Sequence, residues 1–301
     1  MTISPRVAIA IPAHNEAGLI GRCLAALDGQ RDAGEFTVVV FANNCSDDTA
    51  TIVAGFTGLA LELIEADLPP DQRGAGFARR VAMAEAGRQG EIVLTTDADC
   101  IPDPNWIAAH RAAFAAGVDA VAGRVSADQA EMQRLPAHAL AIGKIEWDYL
   151  TLLARAEMIF AAASHDPWPR HAQCCGANLG ITSSMLTAVG GVPAIESGED
   201  RALIGAVQAA GGRVRFDTAP HVTASARLTG RAQDGMAAAL TARLGPDYRC
   251  DAQFRPVAEL LEIWARGETM WTAAPPAIRL TPQELVQETE QLRALIEATH
   301  E

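Results

Sequence analysis

An α/β fold, built on a mostly parallel sheet flanked by helices, is predicted for this chain by three observations. Short runs of β-formers alternate with segments of helical apolar spacing from residue 7 to residue 126, the rhythm of a doubly wound sheet. The polar clusters of that region fall just after strand-like runs, where such sheets bind ligands. The chain has 301 residues, 49% of them hydrophobic, enough to bury a large core.

Val7 to Ile11 reads as a buried strand that Pro12 stops, because proline cannot donate to the ladder. Leu19, Ile20, Cys23, Leu24 and Leu27 then recur at helical spacing. Residues 35–44 (EFTVVVFANN) form the second strand, and 46–56 a helix opening on the cap-type residues Ser46 and Asp47. The third strand is 59–66 (LALELIEA), and 74–90 (GAGFARRVAMAEAGRQG) is a helix with a glycine stop. The fourth strand is 91–99 (EIVLTTDAD), followed by a helix over 104–117 with Pro104 in its first turn and Gly117 at its end. A fifth strand covers 118–126 (VDAVAGRVS).

Beyond residue 126 the rhythm changes. Residues 132–164 read as long helices, and 165–181 as a Pro- and Trp-rich loop leading into a short strand. Helices are predicted at 183–193 and 198–212, and two strands at 213–219 and 221–225. The remainder is helical, ending in a helix from Thr281 with Glu284 three residues on, a capping box. We expect one domain over 1–230 and a helical extension over 231–301 packed on it.

The formal charge of −13 argues against nucleic acid or an anionic membrane as partner. It leaves an anionic substrate open, since a bound cation inverts the charge of a pocket. Six cysteines without a C-x-x-C pair give no zinc knuckle or thioredoxin motif. There is no signal-peptide pattern and no apolar run of transmembrane length, so a cytoplasmic protein with reduced cysteines and no transmembrane segment is expected.

Asp97 and Asp99 stand one residue apart at the end of the fourth predicted strand. If the backbone stays extended, both side chains lie on one side. Two acids so close in a crevice repel unless a cation is shared, and hard divalent cations such as Mg²⁺ or Mn²⁺ suit carboxylates. By itself the pair is more readily read as helix-capping or loop acids, the reading that also suits Asp103.

The ordered set IPAHNE (11–16), FANNCSDDT (41–49), RGAGFARR (73–80), TDADC (96–100), CGANLGI (175–181), AVGGVP (188–193) and SGEDRAL (197–203) resembles the family 2 glycosyltransferases of the GT-A fold. The resemblance spans about residues 5–230. It implies a Rossmann-like, mostly parallel sheet and an inverting, metal-dependent glycosyl transfer from a nucleotide-sugar.

By that resemblance Pro12, Ala13, His14 and Glu16 hold the nucleoside. Asn43 falls where the family carries an Asp facing the uracil edge. An amide both accepts and donates, so a UDP-sugar is favoured and a GDP-sugar stays open. Arg73, Gly74 and Arg79 surround the Gly-rich helix start, a setting for an anion, although a tight turn with solvated arginines has the same look. Asp97, Ala98 and Asp99 place the Mn²⁺ or Mg²⁺ that bridges the donor diphosphate.

Asp200, with Glu199, is the implied general base at a helix start; a helix-dipole acid is the alternative. His221 is a candidate third metal ligand or a packed histidine. Arg227 and Arg231 are candidate diphosphate contacts or surface residues. Trp168, Gly176, Ala177 and Asn178 are expected on the acceptor side, Trp168 within the unusual HDPWPRH loop, which is otherwise a rigid structural loop. The acceptor itself is not legible. A Q-x-x-R-W element is missing from the sequence, which argues against processive synthesis. Two other functions compete: a sugar-phosphate nucleotidyltransferase, for which a basic Gly-rich loop after the first strand is lacking, and a noncatalytic nucleotide-sugar-binding protein.

Overall fold

The computed structural model describes residues 5–161, 165–232 and 235–299. The end of the helix predicted to residue 164, and His300 of the last one, lie outside the described residues. In chain order the elements are β1 (Val7–Ala13), α1 (Ile20–Asp28), β2 (Phe36–Asn43), α2 (Thr49–Ala54), β3 (Leu61–Ala66), α3 (Ala75–Gln89) and β4 (Ile92–Thr95). There follow β5 (Cys100–Pro102), α4 (Trp106–Ala115), β6 (Ala120–Ala127), α5 (Gln129–Met132), α6 (Ala137–Phe160) and β7 (Leu179–Thr182). The last are α7 (Ser183–Ala188), α8 (Glu199–Ala209), β8 (Val214–Ala224), α9 (Met236–Ala242), α10 (Val257–Ala265) and α11 (Pro282–Ala298).

The strands form one sheet in the order β3-β2-β1-β4-β7-β6-β8-β5. β1 pairs in parallel with β2 and β4, and β2 with β3. The chain steps outward from β1 to β3 and returns to β4 on the other side, which makes a switch point at the β1/β4 seam. The loops after β1, β2 and β4 therefore open at one edge of the sheet. β7 runs antiparallel to β4 and β6, while β8 runs parallel to β6.

Side-chain alternation splits β1 between two layers. Val7, Ile9 and Ile11 pack under α1 and α4 with Leu24, Leu27, Trp106 and Ile107. Ala8 and Ala10 face α3, whose Ala78, Ala82 and Ala86 share their cluster; small residues on both sides let that helix lie close to the sheet. A third apolar cluster joins α6, α10 and α11 through Tyr149, Leu153, Leu260, Leu285 and Leu292. The capping box at Thr281 and Glu284 forms as expected.

The structure differs from the sequence reading at three places. The fourth strand stops at Thr95 instead of Asp99, because the chain turns there, with Cys100 N–H donating to Asp97 O at 3.1 Å. That turn leads into β5, a three-residue strand the sequence does not announce. The strands predicted at 213–219 and 221–225 are one strand, β8. Its register against β6 jumps from Gly123↔Asp217 to Arg124↔His221, so residues 218–220 bulge out. Pro220 lies in that bulge, where its missing N–H costs no ladder bond.

Two buried histidines make the fold acid-sensitive. His110 and His171 are each pushed down to about 4 by burial. The unfolded chain then binds protons that the folded one refuses, so their stabilisation is complete above the ordinary value of 6.5 and is lost as pH falls toward 4. Each contributes up to about 3 kcal/mol. Urea titrations from pH 7.5 to 4.5 should show stability falling steadily over that window; a flat profile would contradict it.

Candidate active site

A cleft of about 980 Å³ opens at the carboxyl ends of β1, β2 and β4. Pro12, Ala13, His14 and Glu16 line it from the loop after β1, Asn43 from the end of β2, and Arg73, Gly74 and Arg79 from the start of α3. Asp97, Ala98 and Asp99 enter from the turn after β4, Gly176 and Ala177 from the segment before β7, and Glu199 and Asp200 from the first turn of α8. Arg227 and Arg231 follow β8 along its rim. Segments nearly 220 residues apart in sequence thus meet at one sheet edge.

The acids dominate its electrostatics. Arg79 Nη2 pairs with Asp97 Oδ1 at 2.9 Å and its Nε with Glu199 Oε1 at 2.8 Å. Arg227 Nη2 bridges Glu16 and Asp99, the latter at 3.1 Å. Four carboxylates therefore share two guanidinium groups, an excess of two negative charges. Burial, then the Asp97 charge, push Asp99 up to about 7 against the pull of Arg227. Carboxylate oxygens of Asp97 and Asp99 and the Cys100 Sγ lie within 4.8 Å of one another. A bound cation would relieve the repulsion between these acids, and hard carboxylate donors suit Mg²⁺ or Mn²⁺. Asp97 and Asp99 fit such an ion and would hold it.

The Gly-rich helix start, whose Arg73 and Gly74 line the cleft, also has a packing role. A Cβ on Gly76 would stand 2.1 Å from Ile195 O, and one on Gly74 would stand 3.0 Å from Glu196 O. These glycines let α3 approach the segment that carries Glu199 and Asp200. Arg79, expected to contact the donor diphosphate, is instead buried and engaged by protein partners. Besides Asp97 and Glu199, its Nη1 donates to Thr95 Oγ1 at 3.0 Å and Gly176 O at 2.9 Å. Arg73 remains exposed at the rim.

Asp200 is held by two backbone donors, Gly176 N–H to Oδ2 at 2.8 Å and Arg201 N–H to Oδ1 at 2.7 Å. It is half-buried and lines the cleft. Asn43 is buried at the cleft wall, and its carbonyl bonds the His14 ring at 2.8 Å, which ties the first two loops together.

Three expected residues lie elsewhere. His221 bonds Ser126 Oγ at 2.7 Å and Asp103 Oδ2 at 2.9 Å and does not line the cleft, so it joins β8 to its neighbours and is not a third ligand beside Asp97 and Asp99. Trp168 is 53% exposed, outside the cleft lining, with Arg155 stacked 5.7 Å from its ring. Its loop is anchored by buried ion pairs of Arg170 with Glu157 and Asp166 and of Arg215 with Asp166. The rigid structural reading of HDPWPRH is the one these contacts support.

Asn178, expected on the acceptor side, is fully buried. Its Oδ1 accepts from Trp106 Nε1 at 2.8 Å and His110 Nε2 at 3.0 Å; its Nδ2 donates to Arg124 O at 2.8 Å and Pro220 O at 3.0 Å. It satisfies the carbonyls freed by the β8 bulge. Asn178→Ala would orphan four buried groups and should cost at least about 3 kcal/mol in chemical denaturation; a loss below about 1 kcal/mol would refute the role.

The sequence reading passes over Glu196, Ser197, Arg201 and the α9 residues Met236, Ala237 and Thr241, all of which line the cleft. Arg201 carried a signal in its place beside the acidic pair. Its guanidinium makes a bidentate pair with Asp251 at 2.6 and 3.2 Å, tying α8 to the C-terminal region. α9 has no motif, and no signal in the sequence points it at the cleft.

Comparison with known proteins gives a consistent result. The model of glycosyl transferase family 2 matches residues 8–164. Glycosyltransferase AglE of Haloferax volcanii is 31% identical over 123 residues, which covers 40% of this chain and 40% of that protein. Mannosyltransferase PcManGT from Pyrobaculum calidifontis, solved with GDP-Man and Mn²⁺, superposes with a TM-score of 0.54 at 19% identity over 99% of this chain and 76% of its own. S. aureus TarS 1–349 with UDP gives a TM-score of 0.52 at 20% identity over 73% of this chain and 60% of its own.

Proposed function

The chain belongs to glycosyl transferase family 2 and carries the GT-A fold, and on that premise we propose that it is an inverting, metal-dependent glycosyltransferase. It moves a sugar from a nucleotide-sugar to an acceptor hydroxyl. The observation that carries this reading is the convergence of Asp97, Asp99 and Asp200 on one cleft, in which Asp97, Asp99, Glu16 and Glu199 share two guanidinium groups.

Asp200 takes the proton of the acceptor hydroxyl at a carboxylate oxygen while the acceptor oxygen bonds to the anomeric carbon. The bond from that carbon to the diphosphate breaks, and the nucleoside diphosphate leaves from the opposite face. One base suffices, and configuration inverts. Asp97 and Asp99 would hold a divalent cation, which would supply charge neutralisation for the leaving diphosphate. Arg73 and Arg231 offer guanidinium groups at the rim, where planar donors match phosphate.

The first two loops hold the nucleoside. The Asn43 amide pairs with a uracil edge or a guanine edge, so a UDP-sugar is the proposed donor and a GDP-sugar the second. Relatives of the same fold solved with UDP and with GDP-Man support both. A cytoplasmic setting belongs to the same proposal, as six free cysteines suit a reducing compartment. Among the described residues no helix is long and apolar enough to cross a membrane.

Incubation with UDP- and GDP-sugars and Mn²⁺ tests the reading. Release of free nucleoside diphosphate is expected. Pyrophosphate exchange would favour a nucleotidyltransferase, and binding without turnover a noncatalytic binding protein.

A further inference from the structure

We infer that Arg79 is the positioning residue that sets Asp97, at the donor end of the cleft, at a fixed distance from Asp200, at the acceptor end; the inference rests on the glycosyltransferase reading. Its guanidinium touches Asp97 directly and reaches Asp200 through two of its neighbours. Nη2 holds Asp97 at 2.9 Å, and Nη1 holds the Thr95 hydroxyl at the end of β4 and the carbonyl of Gly176. The N–H of that same Gly176 donates to Asp200 Oδ2 at 2.8 Å. Nε holds Glu199, the covalent neighbour of Asp200, at 2.8 Å. Two independent routes therefore run from Asp97 through one planar fork to Asp200.

The surroundings leave the fork little freedom. The Arg79 side chain is 5% exposed and Glu199 6%, so water does not compete for that pair, while Asp97 at 36% keeps one side open to the cleft. A Cβ on Gly176 would stand 2.6 Å from Arg79 Cζ, so the backbone rests directly on the guanidinium plane. Buried ion pairs seldom stabilise a fold more than packed apolar residues of the same volume. What this one provides is angle and distance, through donors fixed in one plane, which a lysine ammonium cannot reproduce. Misplacement of a catalytic group by about 1 Å costs on the order of 100-fold in rate.

The test is Arg79→Lys, which keeps the charge and loses the fork. With the UDP- or GDP-sugar that the parent hydrolyses and Mn²⁺ both at saturation, kcat for nucleoside diphosphate release should fall at least 30-fold after scaling to the folded fraction, beyond any rise in donor KM that the shift of Asp97 brings. A residue that served folding alone would leave the scaled kcat unchanged, and that result overturns the inference. If Arg79→Lys does not fold, Glu199→Leu keeps the bulk, removes the acceptor of the Arg79 Nε–H and so removes one route; kcat should fall at least tenfold at constant KM, and parental kcat overturns the inference. A crystal structure of whichever variant folds should show the Asp97 and Asp200 carboxylates displaced relative to each other. Unmoved carboxylates overturn the positioning role even if the parent releases no nucleoside diphosphate, an outcome that would sink the glycosyltransferase reading separately.

Discussion

Asp200→Asn is expected to lower kcat by at least about 1,000-fold while leaving the affinity for UDP and Mn²⁺ within a factor of about two. The amide has the size of the carboxylate and keeps an oxygen for one of the two backbone donors, Gly176 N–H or Arg201 N–H, while giving up the other bond. What disappears is the capacity to accept a proton. A hydroxyl that cannot shed its proton is a weak nucleophile, so the loss falls on the chemical step and spares the ground state. Calorimetry with UDP and Mn²⁺ measures the affinity, and nucleoside diphosphate release measures turnover. Parental turnover would remove Asp200 as the base. Weakened binding would place it at the donor.

Asp99→Asn is expected to act in the opposite sense. It should reduce Mn²⁺-dependent UDP affinity by at least about 100-fold, as loss of a direct ligand exceeds loss of a supporting partner. It should also raise the melting temperature of the metal-free protein at pH 8. Asp99 sits beside Asp97 and Glu16 and is paired with Arg227, and its carboxyl is raised to about 7 from 3.8, first by burial and then by Asp97. A raised carboxyl binds a proton in the folded state that the unfolded chain has released. Its ionisation therefore removes stability as pH climbs from about 4 through 7, and the cost is complete at pH 8. An amide carries none of that cost. A metal-free protein that becomes less stable at pH 8, or one whose UDP affinity keeps its Mn²⁺ dependence, would contradict the charge excess assigned to this cleft.

Much of this arrangement was legible in the sequence because it follows from chain direction. β1 and β2 are buried on both faces and read as near-continuous apolar runs, so polar residues such as Glu16, Asn43 and Asp97 mark where they and β4 end. All such ends in a parallel sheet share one edge, and that fixes the cleft. β5 escaped notice because three residues carry no alternation, and β8 was split in two because Pro220 reads as a break when it sits in a bulge.

Side-chain partners were the least legible. Arg79 has the look of a diphosphate contact until the fold brings Glu199, 120 residues away, to its Nε. Asn178 has the look of a site residue until the register jump between β6 and β8 presents the Arg124 and Pro220 carbonyls to its amide. His221 and Trp168 are chemically suited to ligation and stacking, but β8 and the anchored 165–171 loop place them outside the cleft. Residue type states what a side chain can do, and long-range topology decides what it meets.

The central claim is that a divalent cation held by Asp97 and Asp99 neutralises a departing diphosphate. Crystals grown with UDP and Mn²⁺ test it most directly through anomalous scattering at the manganese edge. A single anomalous peak within coordination distance of both carboxylates and of the diphosphate oxygens is the predicted result. Bound UDP with no anomalous signal in the cleft, or a signal away from both acids, would contradict it.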